Sequence, residues 1–141
     1  MSNEAASLDW AGLEVLTFDD CLERLSLASV GRIGFVDRGS PSILPVNFAL
    51  AGLSIVFRSG YGSKLSAGIS MQPVCFEIDS WNSIDHTGWS VLAKGFAAEV
   101  VAADEIEQLS LLKVRPWSHP ELREIWVRIL VEELTGRRIA P

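Results

Sequence analysis

Three apolar, β-branched segments follow one another between residues 30 and 59, and only two short turns separate them. The segments read VGRIGFVD, PSILPVNFAL and LSIVFRS, and each of the turns, at 38–40 and 51–52, contains a glycine. Connections this short join antiparallel neighbours, because a parallel pair needs a crossover of a dozen or more residues. The sequence therefore predicts an antiparallel meander.

Pro45 stands inside the second of these segments. Proline has no backbone N–H to donate to a strand ladder, so it is confined to edge strands and bulges. The sequence therefore predicts that this strand lies at an edge of the sheet or carries a bulge, which leaves nearby backbone donors open to a ligand.

The remaining segments add strands and a few short helices. Thr17 caps an amphipathic helix predicted over 17–29, after an N-terminal extension over 1–16, and further helical patterns begin at Ser63 and at Asp104. Strands are predicted at VCFEI, at 89–103 with a bend at Gly95 and at 123–131, followed by a turn and a short terminal strand; the polar segment 79–88 is predicted as a loop. The chain is predicted to be one mainly β domain over 1–141, with six to seven antiparallel strands in a small barrel or sandwich.

Composition excludes several classes of function. The 141 residues carry a net charge of −6, which argues against a nucleic-acid or anionic-membrane partner. The N-terminus has no basic start followed by an apolar segment, so a cytoplasmic protein is expected. Cys21 and Cys75 are expected to be buried free thiols, and His86 and His119 lack the spacing of metal ligands, so no metal is expected.

The segment FRSGYGSKL combines the side chains that bind a phosphate group. Arg58 offers a bidentate guanidinium, Lys64 a point charge and Ser59 and Ser63 hydroxyl donors, next to the free N–H groups of a helix start. The spacing matches neither a P-loop nor a dinucleotide fingerprint, so a smaller monophosphate is favoured. On these residues alone, solvated charges around a flexible turn remain the alternative.

Four segments in this order, ILPVNFAL, VFRSGYGSKL, PVCFEID and GWSVLAKG, resemble the pyridoxamine 5'-phosphate oxidase-like family of flavin-binding split β-barrels, in particular its small actinobacterial-type members. The resemblance covers about residues 18–140. It implies an antiparallel split β-barrel with short flanking helices, and FMN as the cofactor.

The resemblance also implies where the cofactor binds. The isoalloxazine ring would lie beside a strand that contacts it largely through main-chain groups, formed by Pro45, Val46, Asn47 and Phe48. The ribityl phosphate would be held by Arg58, Ser59, Ser63 and Lys64, the residues already predicted to bind a phosphate.

The other subunit is implied to close the site through Trp89, Ser90 and Val91, which makes the protein a homodimer with its cofactor at the interface. Trp117 is a candidate for an aromatic wall near the ring; a core or interface role is the alternative for it and for Trp126.

The predicted activity is that of an FMN-dependent oxidoreductase acting on a small molecule. No catalytic side chain is expected, because the redox chemistry belongs to the flavin. The paired Arg and His of the vitamin B6 oxidase's substrate segment are absent from RPWSHPELREIW, which argues against pyridoxamine phosphate as the substrate. The alternatives are a reductase that uses the deazaflavin F420 and a non-catalytic module that binds flavin or haem.

Overall fold

The computed structural model describes residues 7–60, 72–117 and 124–140. This part of the chain contains seven strands and two helices. In chain order they are β1 Glu14–Val15, α1 Phe18–Leu27, β2 Val30–Asp37, β3 Ser40–Ala51, β4 Ser54–Gly60, β5 Gln72–Asn82, β6 Thr87–Val100, α2 Ala103–Ser110 and β7 Glu124–Arg138.

Six of the strands form a closed ring of hydrogen-bonded neighbours. The order along the sheet is β1-β7-β4-β3-β2-β5-β6, and an additional pairing between β6 and β7 joins its ends. Every pairing is antiparallel. The prediction of a mainly β, antiparallel barrel with a few short helices is confirmed, and the meander over β2, β3 and β4 is its first half.

The hairpin between β5 and β6 is longer than predicted. Segment 79–88 was expected to be a loop, but β5 continues to Asn82 and β6 begins at Thr87, so only 83–86 form the turn. The Asn82 side chain accepts hydrogen bonds from the backbone N–H groups of Ile84 and Asp85 and closes this turn. The end of β5, residues 79–82, is exposed, so polar residues occupy it without breaking the ladder.

The C-terminal segment was also predicted wrongly. It forms one strand of 15 residues, β7, instead of a strand, a turn and a short terminal strand. Its register against β6 shifts by one residue between Lys94 and Gly95, where β7 carries an extra residue. The pairing then continues to Arg138, and β1, inside the predicted N-terminal extension, pairs with the same end of β7.

Two apolar clusters lie on opposite sides of the barrel wall. The interior cluster includes Ile33, Phe57, Phe76 and Ile129, all fully buried, and α1 packs against it. The Thr17 hydroxyl accepts a hydrogen bond from the Asp20 N–H and caps α1, as predicted. The outer cluster lies between α2 and the outer faces of the neighbouring strands, and its buried members are Val56, Val100, Leu109, Val114 and Trp126.

Both cysteines are free thiols. Cys21 is fully buried beneath α1, and burial raises the pKa of its thiol. Cys75 is half-buried rather than buried as expected, because it lies on the outer face of β5 beside Gly34.

Gly95 is required by the close approach of β6 and β7 at the register shift. A Cβ atom built at this position would lie 1.9 Å from the Leu130 carbonyl oxygen. We therefore expect Gly95→Ala to lower the free energy of unfolding by about 3 kcal/mol or more. Urea unfolding would measure it. Gly39→Ala is the control: no atom lies within 4 Å of its Cβ, so only its positive φ is penalised, by about 1 kcal/mol. Equal losses in the two variants would contradict the prediction.

Candidate functional site

The wall of the barrel opens between β3 and β4. These strands pair only from Phe48 opposite Phe57 to Ala51 opposite Ser54. Beyond that point β3 pairs with β2 alone, and the last residues of β4 pair with β7 alone. We call this opening the β3–β4 gap; residues 45–47 line one side and 58–60 the other. Pro45, predicted to lie on an edge strand or at a bulge, is paired with Arg32 in a β2–β3 ladder without a register shift, and its other side faces the gap.

The predicted ring-binding strand contributes alternately to the gap and to the core. Val46 and Phe48 are buried inside the barrel, where the Phe48 ring packs edge-on against Phe76 at 4.8 Å. Pro45 and Asn47, which point to the other face, are exposed and half-buried. Val46 and Phe48 can therefore contact a ligand at the gap only through their main-chain groups. The family resemblance implies the same kind of contact between this strand and the flavin ring.

Asn47 connects the late loop, which contains Arg115 and Trp117, to the gap by hydrogen bonds. Its side-chain amide donates to the Arg115 carbonyl oxygen at 2.9 Å, and its Oδ1 accepts a hydrogen bond from the Trp117 indole at 3.1 Å. Two of the predicted cofactor-binding residues are thus in direct contact. Trp117 remains 62% exposed, so its ring is an uncovered aromatic surface and not a core residue of this chain.

Arg58 lies on the outer face at the other edge of the gap. Its Nη2 is 2.5 Å from Oε2 of Glu124, and its guanidinium is 5.3 Å from the ring centre of Trp126. Its Nε is buried and forms no hydrogen bond with any residue in the described ranges. Ser59 is buried and points to the opposite face of β4. Ser63 and Lys64, predicted to complete the phosphate site, lie outside the described residues.

The sequence did not reveal Glu124 and Trp126 as neighbours of Arg58. Trp126 was predicted to be a core or interface residue, and it is buried in the outer cluster. The contacts result from the register of β4 against β7, in which Arg58 is opposite Trp126 and Gly60 opposite Glu124. No local pattern of residues specifies that register.

Trp89, Ser90 and Val91 lie together on β6, away from the gap. Val91 is fully buried in the interior cluster, whereas Trp89 is half-buried with Arg24 stacked 4.6 Å from its ring centre. Trp89 and Ser90 line an open cavity of about 310 Å³ together with Arg137 and Arg138 at the end of β7.

The two groups lie at opposite ends of β7. Trp89 is opposite Arg138, and Arg58 is opposite Trp126, so twelve residues of β7 separate them. At about 3.3 Å per strand residue this is a distance of roughly 40 Å along the strand. Across the sheet the separation is smaller for Pro45, because Pro45 pairs with Arg32, Arg32 pairs with Glu77, and Glu77 lines the cavity of Trp89.

A charged cluster that the sequence did not indicate lies beside Pro45. Arg32, which pairs with Pro45, contacts the carboxylates of Glu77 at 3.4 Å and Asp79 at 3.2 Å. Burial, followed by the hydrogen bond and charge of Asp79, raises the pKa of Glu77 to about 7 despite the opposing effect of Arg32. Glu77 and Asp79 also line the cavity of Trp89.

A wider open cavity of about 830 Å³ is lined in part by Val36, Pro73 and Phe96 and holds none of the predicted site residues. Among the residues that the structure describes, no group of three or more His, Cys, Asp or Glu side chains is placed to hold a metal ion. In the same ranges, neither helix has the length and apolar character that crossing a membrane requires.

Comparison with known proteins shows relatives of the same size and fold. A family model described as pyridoxamine 5'-phosphate oxidase matches residues 17–138. The FAD binding protein from Mycobacterium smegmatis is 28% identical; the match covers 90% of this chain and 98% of that one, with a TM-score of 0.78. A conserved protein of unknown function from Corynebacterium diphtheriae is 34% identical over 91% of this chain and 98% of that one, with a TM-score of 0.77.

An uncharacterized protein of Mycobacterium tuberculosis is 28% identical over 126 residues, which are 86% of this chain and 82% of the relative. The similarity therefore extends along nearly the whole chain.

The raised pKa of Glu77 makes stability depend on pH. Between about pH 4.5 and 7 the folded chain holds a proton that the unfolded chain has lost, so this group lowers the unfolding free energy as pH rises. We expect Glu77→Gln to be more stable than the wild type at pH 8, and the two proteins to converge toward pH 4. Urea unfolding across this range measures the difference. A difference that is constant with pH would contradict the prediction.

Proposed function

The chain belongs to the pyridoxamine 5'-phosphate oxidase family, and on that premise we propose that it binds a flavin nucleotide at the β3–β4 gap and uses it in a redox reaction of a small molecule. The observation that supports this most directly is the donor set at the gap. It combines the main chain of an interrupted ladder, a guanidinium on a side chain that is 36% exposed and an exposed indole ring.

Arg58 is the proposed phosphate ligand. The side chain is 36% exposed, so the accessible amino end of its guanidinium can form charge-assisted hydrogen bonds with a phosphate oxygen. The Trp126 ring fixes the plane of the guanidinium from below. A phosphate group therefore fits the side chains present, although Glu124 already contacts one of the amino groups.

Main-chain groups of 45–47 and the Trp117 indole are the proposed contacts of the isoalloxazine ring. The hydrogen bond to Asn47 keeps Trp117 beside this strand, and its exposed face offers a surface on which a planar ring stacks. Because Asn47 uses both ends of its amide on the late loop, its role in this proposal is to position that loop.

Two copies of the chain are proposed to form each complete site. Trp89 and Ser90 line a cavity about 40 Å along β7 from Arg58. A symmetric dimer places the cavity of one copy against the gap of the other, and by symmetry it does so twice. This arrangement explains how residues from both ends of the strand serve one ligand.

FMN is the proposed cofactor, with F420 as the alternative. The Mycobacterium smegmatis relative binds FAD, and since FAD contains the FMN moiety, the same ring and phosphate contacts serve either flavin. F420 carries a longer acidic tail, which needs more basic side chains for binding. In the described rim of the gap, Arg115 is exposed, but Arg58 is already paired with Glu124. The rim therefore fits FMN better than F420. Titration with FMN, FAD and F420 separates the three.

A bound flavin supplies hydride or electron transfer. The chain's own contribution is to hold the phosphate at Arg58, to orient the ring along 45–47 and to exclude water with Trp117 and the second copy. If the bound flavin exchanges electrons with no nicotinamide donor and no small electrophile, the non-catalytic binding module is the correct alternative.

Arg58→Ala tests the phosphate contact. We expect the variant to fold and to bind FMN at least tenfold more weakly, about 1.4 kcal/mol or more, because it loses a charge-assisted hydrogen bond. Flavin fluorescence titration measures the affinity.

Arg128→Ala is the matched control for this variant. Arg128 forms an ion pair with Glu105 on the same face of the sheet and also has a buried Nε without a partner, but it lies under α2 and not at the gap. Its loss should leave FMN affinity within about twofold of the wild type. Equal losses in both variants would show that the phosphate does not bind at Arg58.

A mixed dimer tests the shared site. Arg58→Ala and Trp89→Ala chains, carrying different affinity tags, are co-expressed and the mixed dimer is isolated through both tags. One of its sites then combines two intact halves, so we expect about half the flavin content of the wild type, with little in either parent dimer. Thermal unfolding of each parent verifies folding. No recovery in the mixed dimer would contradict a site built from two copies.

A further inference from the structure

A carboxylate occupies part of the proposed phosphate site. Oε2 of Glu124 is 2.5 Å from Nη2 of Arg58, and the Glu124 side chain is only 15% exposed. The two residues are on adjacent strands, with Glu124 opposite Gly60 and Arg58 opposite Trp126, so the backbone holds them near each other. A phosphate group bound at Arg58 would meet this carboxylate.

We propose that Glu124 competes with the flavin phosphate for Arg58 and thereby sets how strongly the site prefers flavins with a phosphate group to flavins without one. This inference rests on the proposed role of Arg58. Two anions that share one guanidinium repel each other, and shielding from solvent strengthens that repulsion. Phosphate binding must displace the carboxylate from Nη2 or tolerate it while using the other amino group of the guanidinium.

Trp126 makes it possible to distinguish two roles of Glu124: competing with the phosphate for Arg58, and positioning the Arg58 side chain. Its ring lies 5.3 Å from the Arg58 guanidinium, on a strand that pairs with β4, and it is buried in the outer cluster. Arg58 therefore keeps a support that does not depend on the charge of Glu124. Removing that charge should free the guanidinium for an anion without releasing it from its place.

The ion pair of Arg128 with Glu105 provides an internal comparison. It is chemically the same pair, and its arginine also has a buried Nε without a partner. Arg128 is opposite Val56, which pairs with Ala49 in the closed part of the β3–β4 ladder, so Arg128 does not lie on the rim of the gap. An effect of carboxylate charge on flavin binding is expected only at Glu124.

The test measures the affinities of FMN and of riboflavin, which lacks the phosphate, by fluorescence titration of the full chain. Glu124→Gln keeps the size of the side chain and an acceptor for Arg58 but removes the charge. We expect it to bind FMN about threefold or more tightly than the wild type, with riboflavin affinity unchanged. Glu105→Gln should alter neither affinity. In the Arg58→Ala background, Glu124→Gln should have no effect on FMN binding.

The opposite outcomes overturn the proposal. If Glu124→Gln binds FMN equally well or more weakly, Glu124 does not compete for the phosphate; weaker binding would identify it as a positioning residue. Equal gains for FMN and riboflavin would mean that the phosphate is not involved. If the Gln variant does not fold, Glu124→Ala replaces it in the test, and we expect its FMN affinity to change in the same direction. If neither the wild type nor any variant binds FMN, the proposed function fails and this inference fails with it.

Discussion

The pairing of β6 with β7 is the interaction on which the rest of the structure depends. It closes the ring of six strands, and its register places the two ends of β7 against different parts of the barrel. Through this pairing β7 joins β4 to β6 and encloses the interior cluster. The close approach at Gly95 allows the ladder to continue past the register shift and gives β7 its full length.

At the gap between β3 and β4, by contrast, two neighbouring strands of the ring are paired over only part of their length. A closed barrel has no free strand edge, so a main-chain ligand site requires a place where the ladder stops. Pro45 lies where β3 and β4 separate, and the buried Val46 and Phe48 keep β3 attached to the core on its inner face. The barrel therefore offers backbone groups to a ligand and keeps its apolar interior covered.

The sequence was informative where the determining signals are local. Alternating β-branched segments, glycine turns and the Thr17 cap predicted β2, β3, β4 and α1 closely, and the charge beside a glycine turn singled out Arg58. It failed where strand residues are largely polar: the end of β5, the start of β6 and the second half of β7 have the composition of a loop or turn, and their pairing with neighbouring strands makes them strands.

The site could be predicted only in part for a similar reason. Pro45, Arg58 and Trp117 were named from the sequence, but the contacts of Arg58 with Glu124 and Trp126 and of Asn47 with the late loop join residues more than 60 positions apart. Such contacts depend on strand register across the whole barrel, which no window of the sequence encodes.

The position of Glu124 and Trp126 on the last strand also bears on biosynthesis. On the ribosome, Arg58 emerges long before these partners, and the meander of β2, β3 and β4 is synthesised before β7 exists. Contacts between distant segments form late and slowly, because the chain between them must first be ordered. Until β7 arrives, the outer face of β4 exposes Val56 and an unpaired arginine. The contacts that support Arg58 therefore cannot form until the last strand of the barrel has been synthesised.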